Sequence, residues 1–131
     1  MDIGIVALTI IILMFIFKII MQKRVQKSKG RSIDVSLFDE EIKTLLSGDK
    51  SILYFYTPAC RACKTQAPII DELKEKINFV GKIDLSENIE ASKEFGILGT
   101  PTTAIMKGNI ISEIFVGLKK YEFLKTEFEN M

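Results

Sequence analysis

The sequence has no histidine and only two cysteines, Cys60 and Cys63, among its 131 residues. A closed structural zinc site needs four ligands, so this pair can supply only half of a site shared between two chains. A purely structural disulfide across so short a loop would remove little entropy from the unfolded chain. We therefore expect no metal within one chain, and any thiol chemistry must occur at this pair.

Acidic residues are missing from Lys18 to Arg31, a stretch that carries six basic residues. From Ser32 onward the balance reverses, with 12 basic and 16 acidic residues. A mildly acidic domain is not attracted electrostatically to a phosphate backbone. The charge distribution therefore argues against nucleic acid as a partner of this protein.

Charge is also scarce at the N-terminus. The run 3–21 is apolar apart from three residues, and as a helix it would span about 28 Å, close to the roughly 30 Å of a bilayer's hydrocarbon core. A cleaved signal peptide would carry positive charge before the run, whereas here only Asp2 precedes it. We therefore predict that residues 1–21 are an uncleaved transmembrane anchor, in contact with the lipid bilayer through residues 3–21.

The basic residues after this run predict a juxtamembrane linker over residues 22–35. It is either a solvated tether or a contact for anionic lipid headgroups. Short flanks rich in lysine and arginine usually stay in the cytoplasm. The charge asymmetry therefore predicts a single-pass membrane protein whose folded domain, residues 36–131, faces the cytoplasm, with an extracytoplasmic domain as the alternative.

The two cysteines follow a short apolar strand at 52–56 and begin a helix predicted over 60–76. Side chains at i and i+3 share one side of a helix, close enough for their sulfurs to bond. Cys60 at the helix N-terminus should favour the thiolate, while Cys63, one turn later, should be more buried. Cys60 is therefore the predicted nucleophile, and Cys63 the residue that resolves the mixed disulfide.

Apolar spacing predicts the remaining elements of the domain. Ser36 and Ser86 are candidate helix N-caps, and Pro68 should kink the helix that contains it. The predicted helices cover 37–46, 60–76, 86–95 and 118–129, and the predicted strands cover 52–56, 79–84, 102–106 and 110–116. This order predicts an α/β fold with a central mixed sheet flanked by helices, in which the first two strands are parallel.

Three features together resemble the thioredoxin family: the strand before the Cys60–Cys63 pair, Pro68, and the segment Phe95-Gly-Ile-Leu-Gly-Thr-Pro-Thr102. The resemblance covers residues 36–131 and implies a thioredoxin-like fold. With the N-terminal anchor it implies a membrane-tethered thiol–disulfide oxidoreductase acting on protein thiols and disulfides. No cofactor is implied, since the cysteine pair carries the electrons, and the electron donor would be a thioredoxin reductase-type enzyme.

The resemblance also implies a second part of the site. In thioredoxin-like proteins the proline matching Pro101 is cis and lies against the active-site disulfide. The backbone N–H and C=O of Thr100 would then pair with an extended substrate segment. Ala59 and Arg61, beside Cys60, are the other predicted substrate contacts.

The sequence departs from the family pattern at the residues around the first cysteine. Ala59 stands where thioredoxins usually have tryptophan, and Arg61 and Ala62 replace Gly-Pro. The positive charge of Arg61 should further favour the Cys60 thiolate. A stabilised thiolate makes a disulfide more oxidising, so we expect a redox potential above that of a typical thioredoxin.

A second departure is Tyr54, at the position where the family commonly has a buried aspartate that helps deprotonate the resolving thiol. Lys82 matches the lysine that often accompanies this acid. Without the acid, Lys82 either favours the Cys63 thiolate directly or is a solvated strand residue. We therefore predict that the reactivity of the cysteine pair is tuned by three residues: Tyr54, Lys82 and Pro68.

Two other functions fit the sequence. One is a non-enzymatic binding module, in which the groove beside Pro101 holds a membrane partner and the cysteines are incidental. The other keeps the chemistry but places the domain outside the cytoplasm, as an extracytoplasmic disulfide reductase or isomerase.

Overall fold

The computed structural model describes residues 2–131, with five α-helices, one short 3₁₀ helix and four strands within that range. In chain order they are α1 (Ile3–Gln26), the 3₁₀ helix (Val35–Leu37), α2 (Glu40–Leu46), β1 (Lys50–Tyr56), α3 (Arg61–Ile77), β2 (Val80–Asp84), α4 (Ile89–Phe95), β3 (Thr102–Lys107), β4 (Ile110–Val116) and α5 (Tyr121–Glu129). All predicted elements are present, and their boundaries differ from the predicted ones by a few residues.

The four strands form one sheet in the order β2-β1-β3-β4. β1 and β2 are parallel, whereas β1–β3 and β3–β4 are antiparallel. The predicted mixed sheet is thus confirmed. β1 lies inside the sheet, and its residues 51–55 are all buried, as the continuous apolar run predicted.

Helices cover both faces of the sheet, as predicted. On one face, α2 and α4 bury Ile42 and Phe95 against Phe55 of β1, and the two phenylalanine rings lie 4.6 Å apart. On the other face, α3 and α5 bury Ile70 and Leu124 among the core residues. The sheet is therefore held between two apolar layers, which keeps its strand ends in fixed positions.

The prediction that Ser36 is the N-cap of the first helix of the domain is wrong. The N-cap of α2 is Asp39, whose side chain accepts the Ile42 N–H at 3.0 Å. Ser36 lies in the 3₁₀ helix instead, where its N–H and hydroxyl both donate to Asp34. The carboxylate two residues earlier holds the serine in a local turn, so the helix begins later.

The prediction that Ser86 is the N-cap of α4 is also wrong, because an aspartate two residues earlier again holds the serine in a turn. Asp84 accepts its N–H at 2.9 Å and its hydroxyl at 2.6 Å. Asn88 caps α4 instead, accepting the Ala91 N–H at 3.1 Å. At the other end Gly96 adopts φ +67°, and this left-handed conformation confirms it as the residue that ends the helix.

The predicted linker is partly ordered against the sheet edge. α1 continues to Gln26, and the chain then pairs with the outer edge of β4. Ile111 donates its N–H to Arg31 at 2.9 Å, and Ile33 donates to Asn109 at 2.9 Å. These bonds cover part of an otherwise open strand edge.

Two side chains of this segment are buried in the domain. The Ser28 hydroxyl donates to the Phe95 carbonyl at 2.7 Å, and Ile33 is only 4% exposed in the core beside α2. The expected solvated tether is therefore wrong for Ser28 and Ile33, whereas residues 29–32 between them are exposed. The domain boundaries at residues 21 and 35 stay a prediction.

α1 is long and apolar enough to cross a membrane. Within its segment Ile3–Arg24, the most apolar window of 18 residues has a mean hydropathy of 2.9, and none of that window is buried. The length and composition of α1 therefore agree with the predicted anchor.

Candidate active site

The carboxyl end of β1 delivers the two cysteines to the N-terminus of α3. Cys60 is the N-cap of α3, with φ −78° and ψ 114°, and its Sγ accepts the Cys63 N–H at 3.2 Å. The first N–H groups of a helix have no backbone partner within it, so they interact favourably with a sulfur that carries negative charge. Cys60 thus lies at the N-terminus of the helix, as the sequence predicted.

Cys60 and Cys63 form a disulfide, with their Cα atoms 5.2 Å apart. Cys60 is half-buried, whereas Cys63 is only 4% exposed. The two sulfurs therefore differ in access, and an incoming molecule reaches Cys60 more easily. Among residues 2–131 there is no cluster of three or more histidine, cysteine, aspartate or glutamate side chains able to hold a metal ion.

The Thr100–Pro101 peptide bond is cis and immediately precedes β3. Thr102 pairs with Phe55 of β1, so Pro101 lies at the same end of the sheet as the loop that carries Cys60. The Pro101 carbonyl accepts the Gly117 N–H at 2.8 Å. Neither backbone hydrogen-bonding group of Thr100 is bonded to another described residue, which leaves both available to a ligand.

The family model described as Thioredoxin matches residues 31–130. The chain belongs to the thioredoxin family. Its sequence is 28% identical to the thioredoxin of Alicyclobacillus acidocaldarius over 102 residues, covering 74% of this chain and 96% of the relative. It is 34% identical to the thioredoxin of Bacillus subtilis over 74 residues, covering 54% of this chain and 71% of the relative.

The fold matches solved thioredoxin structures as well. A mutant thioredoxin from Halobacterium salinarum superposes with a TM-score of 0.66 at 28% identity, over 71% of this chain and 84% of that one. Family membership and the Cys60–Cys63 disulfide together show a thiol–disulfide oxidoreductase. The fold and activity predicted from the resemblance are confirmed.

In this thioredoxin-family protein, Tyr54 lies directly behind the second cysteine. Tyr54 is 2% exposed, and its hydroxyl donates to the Cys63 carbonyl at 2.9 Å. Burial, with smaller contributions from Tyr56 and Asp71, raises the pKa of Tyr54 to about 12. At neutral pH this position therefore holds an uncharged hydrogen-bond donor, where thioredoxins commonly have an acid.

Lys82 lies beside the same cysteine. It lines a cleft of about 280 Å³ together with Tyr54, Tyr56 and Cys63. Its ammonium group pairs with Asp71 of α3, and its side chain is 34% exposed. Lys82 is therefore neither a free cation in the cleft nor a fully solvated residue, since a carboxylate holds it at the cleft wall.

The remaining predicted site residues lie on the surface around the pair. Ala59 and Arg61, on either side of Cys60, are both exposed. Pro68 lies inside α3, as predicted, and is exposed there, while the kink stays a prediction. It has no N–H to donate to the Lys64 carbonyl, so the helix loses one hydrogen bond just beyond Cys63.

Gln66 is a buried residue of the cysteine-bearing helix whose role the sequence analysis missed. It is fully buried on α3 and holds the backbone of Lys119 by two hydrogen bonds: Nε2 donates to the carbonyl at 2.9 Å, and Oε1 accepts the N–H at 2.7 Å. These bonds also explain why α5 begins at Tyr121 rather than at the predicted residue 118. The available signal was a glutamine three residues after Cys63, on the apolar face of the helix.

Proposed function

We propose that the protein is a membrane-tethered thiol–disulfide oxidoreductase in which Cys60 is the nucleophile and Cys63 the resolving residue. The supporting observation is the asymmetry of the pair. The Cys60 sulfur is the more accessible and accepts the Cys63 N–H in the first turn of α3, whereas the Cys63 side chain is buried. A cysteine reacts most readily where its sulfur is accessible and a large fraction of it is ionised, because the thiolate is the nucleophile.

The exchange proceeds in two balanced steps. The Cys60 thiolate attacks one sulfur of a substrate disulfide, forming a mixed disulfide and releasing one substrate thiolate. The Cys63 thiol then loses its proton, and its sulfur attacks Cys60. The Cys60–Cys63 disulfide forms and the second substrate thiolate leaves, so the substrate gains two electrons. A thioredoxin reductase-type donor would return the pair to the dithiol.

The substrate platform in this proposal consists of Thr100, Pro101, Ala59 and Arg61. Both backbone groups of Thr100 are available, and the cis-proline segment shares the sheet end with Cys60. An extended segment of a substrate protein can therefore hydrogen-bond to Thr100 with its disulfide beside Cys60. Arg61, exposed in the first turn of α3, adds positive charge beside the nucleophile.

The tether in this proposal is α1, which spans the bilayer and leaves the domain in the cytoplasm. Support comes from its length and hydropathy and from the basic residues Lys23 and Arg24 in its last turn. The cytoplasm keeps thiols reduced, so a reducing role towards protein disulfides fits that side of the membrane.

Trapping of mixed disulfides tests the assigned roles. Cys63→Ser should accumulate mixed disulfides with substrate proteins through Cys60, because the second step is blocked. Cys60→Ser should abolish turnover and trap nothing, and it serves as the matched control. The measurement is non-reducing electrophoresis of the full-length variants after acid quenching, followed by release with dithiothreitol. Equal trapping by both variants, or none by Cys63→Ser, would contradict the roles.

A further inference from the structure

The carboxyl end of α1 touches the folded domain. It lines a small cavity of about 160 Å³ together with the loop before β3 and the end of β4. The residues that line this cavity are Lys18, Met21, Gln22, Leu98, Gly99 and Val116. The loop from 98 to 99 leads directly into the cis Thr100–Pro101 bond.

This contact sets the height of the loop relative to a bilayer. Residues 3–21 span about 28 Å as a helix, so Lys18 and Met21 lie where hydrocarbon gives way to headgroups. A loop that touches these residues lies at the same depth. Three nearby apolar side chains are exposed there: Leu98 at 55%, Leu118 at 50% and Val116 at 39%.

The sheet brings the disulfide to the same end of the domain. Val116 pairs with Thr102, and Thr102 pairs with Phe55 of β1. Neighbouring strands lie about 4.8 Å apart, so two strand spacings, about 10 Å, separate β4 from β1. The loop after β1 carries Cys60, so the redox pair lies close to the surface that α1 touches.

The domain is also held in this orientation. Only one residue separates the end of α1 from Ser28, which is buried and bonded to the Phe95 carbonyl. Lys29 Nζ lies 2.6 Å from Glu113 Oε1 on β4. A flexible tether would let the domain rotate freely, whereas these contacts restrict the movement of the sheet relative to α1.

We infer that the disulfide-bearing end of the domain rests on the bilayer surface, and that Cys60 reacts preferentially with disulfides held close to that surface. This inference rests on the proposed function and on anchorage by α1. The partner is an anionic bilayer, because Lys23 and Arg24 are exposed on α1, and Lys119 and Lys120 follow the exposed Leu118. The substrate class is cysteine pairs at the membrane boundary.

The test compares two substrate probes that differ only in height above the membrane. The full-length protein is reconstituted in vesicles of phosphatidylcholine with phosphatidylglycerol and then reduced. A self-quenched peptide disulfide is attached to a lipid headgroup either directly or through a long polyethylene glycol spacer, and is also offered free in solution. We expect the directly attached probe to be reduced at least about tenfold faster than the spacer-attached probe, because its effective concentration at Cys60 is higher.

A matched pair of variants tests the contact surface itself. Leu98 and Phe79 are both 55% exposed, but Phe79 precedes β2 at the opposite end of the sheet. Leu98→Glu places a carboxylate against anionic headgroups and should remove the preference for the directly attached probe, with the free peptide reduced at the wild-type rate. Phe79→Glu should leave the preference intact.

Equal rates for the two attached probes, or equal losses in Leu98→Glu and Phe79→Glu, would overturn the inference. A preference found in native membranes but not in pure lipid vesicles would also overturn it, because a membrane protein would then be the partner. Failure to reduce the free peptide would instead overturn the proposed function, and release of the protein by alkaline carbonate would overturn the anchorage.

Discussion

At the scale of single residues, Tyr54 most clearly separates this protein from the general thioredoxin pattern. Its buried hydroxyl fixes the Cys63 carbonyl by donating a hydrogen bond, but it cannot accept the Cys63 proton as a carboxylate would. Lys82, which lines the same cleft, is paired with Asp71. We propose that deprotonation of the resolving thiol relies mainly on the N-terminal end of α3, because Lys82 already has a carboxylate partner.

Titration of the tyrosines tests the environment of Tyr54. Its pKa is raised from 10.0 to about 12 in the folded protein. Between these values the unfolded chain has lost the proton and the folded chain keeps it, so the unfolded state binds fewer protons. The free energy of unfolding should therefore be unaffected by this group below pH 10 and should fall as pH rises towards 12.

The measurement is tyrosinate absorbance against pH for the full-length protein, with denaturant unfolding at each alkaline pH. The wild-type protein should show one tyrosine that ionises late, and Tyr54→Phe should lose that component alone. Tyr56→Phe is the matched control, because the two rings stack with centroids 5.4 Å apart. If the late component vanished in Tyr56→Phe instead, Tyr54 would not be the buried group.

At the scale of elements, the position of α3 depends on contacts outside the helix. Gln66 joins it to the segment between β4 and α5 by two hydrogen bonds to Lys119. The same segment includes Gly117, whose N–H donates to the Pro101 carbonyl. A continuous chain of contacts therefore connects the helix that carries the cysteines to the cis-proline segment.

Replacing Gln66 tests this connection. Gln66→Ala leaves the partly buried N–H and C=O of Lys119 without their side-chain partners, so the free energy of unfolding should fall by about 1–3 kcal/mol. Thr65→Ala, on the exposed side of the same helix turn, is the control and should change it little. Urea unfolding followed by circular dichroism measures both. A loss below about 0.5 kcal/mol for Gln66→Ala would show that the two hydrogen bonds to Lys119 make no net contribution to the free energy of unfolding.

The segment before α2 is open to a similar test. Ile33 is 4% exposed and packs in the core, whereas Val35, two residues later, is 38% exposed. Removing a buried isoleucine side chain costs about 2–5 kcal/mol, so Ile33→Ala should lower the free energy of unfolding by that amount. Val35→Ala is the matched control, with little expected effect. Equal and small effects would mean that the segment is a tether after all.

At the scale of the whole molecule, we propose that the side of the membrane on which the domain lies determines the direction of electron flow. We expect a C-terminal tag after Met131 to be protected from added protease in intact cells and digested once the membrane is permeabilised. Protection would place the domain in the cytoplasm, in keeping with a reducing role. Digestion in intact cells would contradict the charge-based orientation and favour an extracytoplasmic reductase or isomerase.

Much of the site was predictable because its signals are local. The cysteine spacing, the strand before it and Pro101 lie within short segments, and the family resemblance joins them. The helix N-caps were less predictable, because each of these helices is preceded by more than one side chain that is able to cap it. In Asp34-Val-Ser36 and in Asp84-Leu-Ser86, the serine donates hydrogen bonds to the aspartate and is held in a turn. The N-cap is then a residue further along the chain, Asp39 for α2 and Asn88 for α4.

The sequence by itself determined the apolar N-terminal helix, the α/β order and the redox pair, because spacing and hydropathy act over a few residues. The tertiary structure alone decided which distant groups meet. It buried Ser28 and Ile33 against the domain, joined Gln66 to Lys119 across 53 residues, and placed the end of α1 beside the cis-proline loop. Such contacts depend on how the elements pack around the sheet, and no local pattern of residues encodes that.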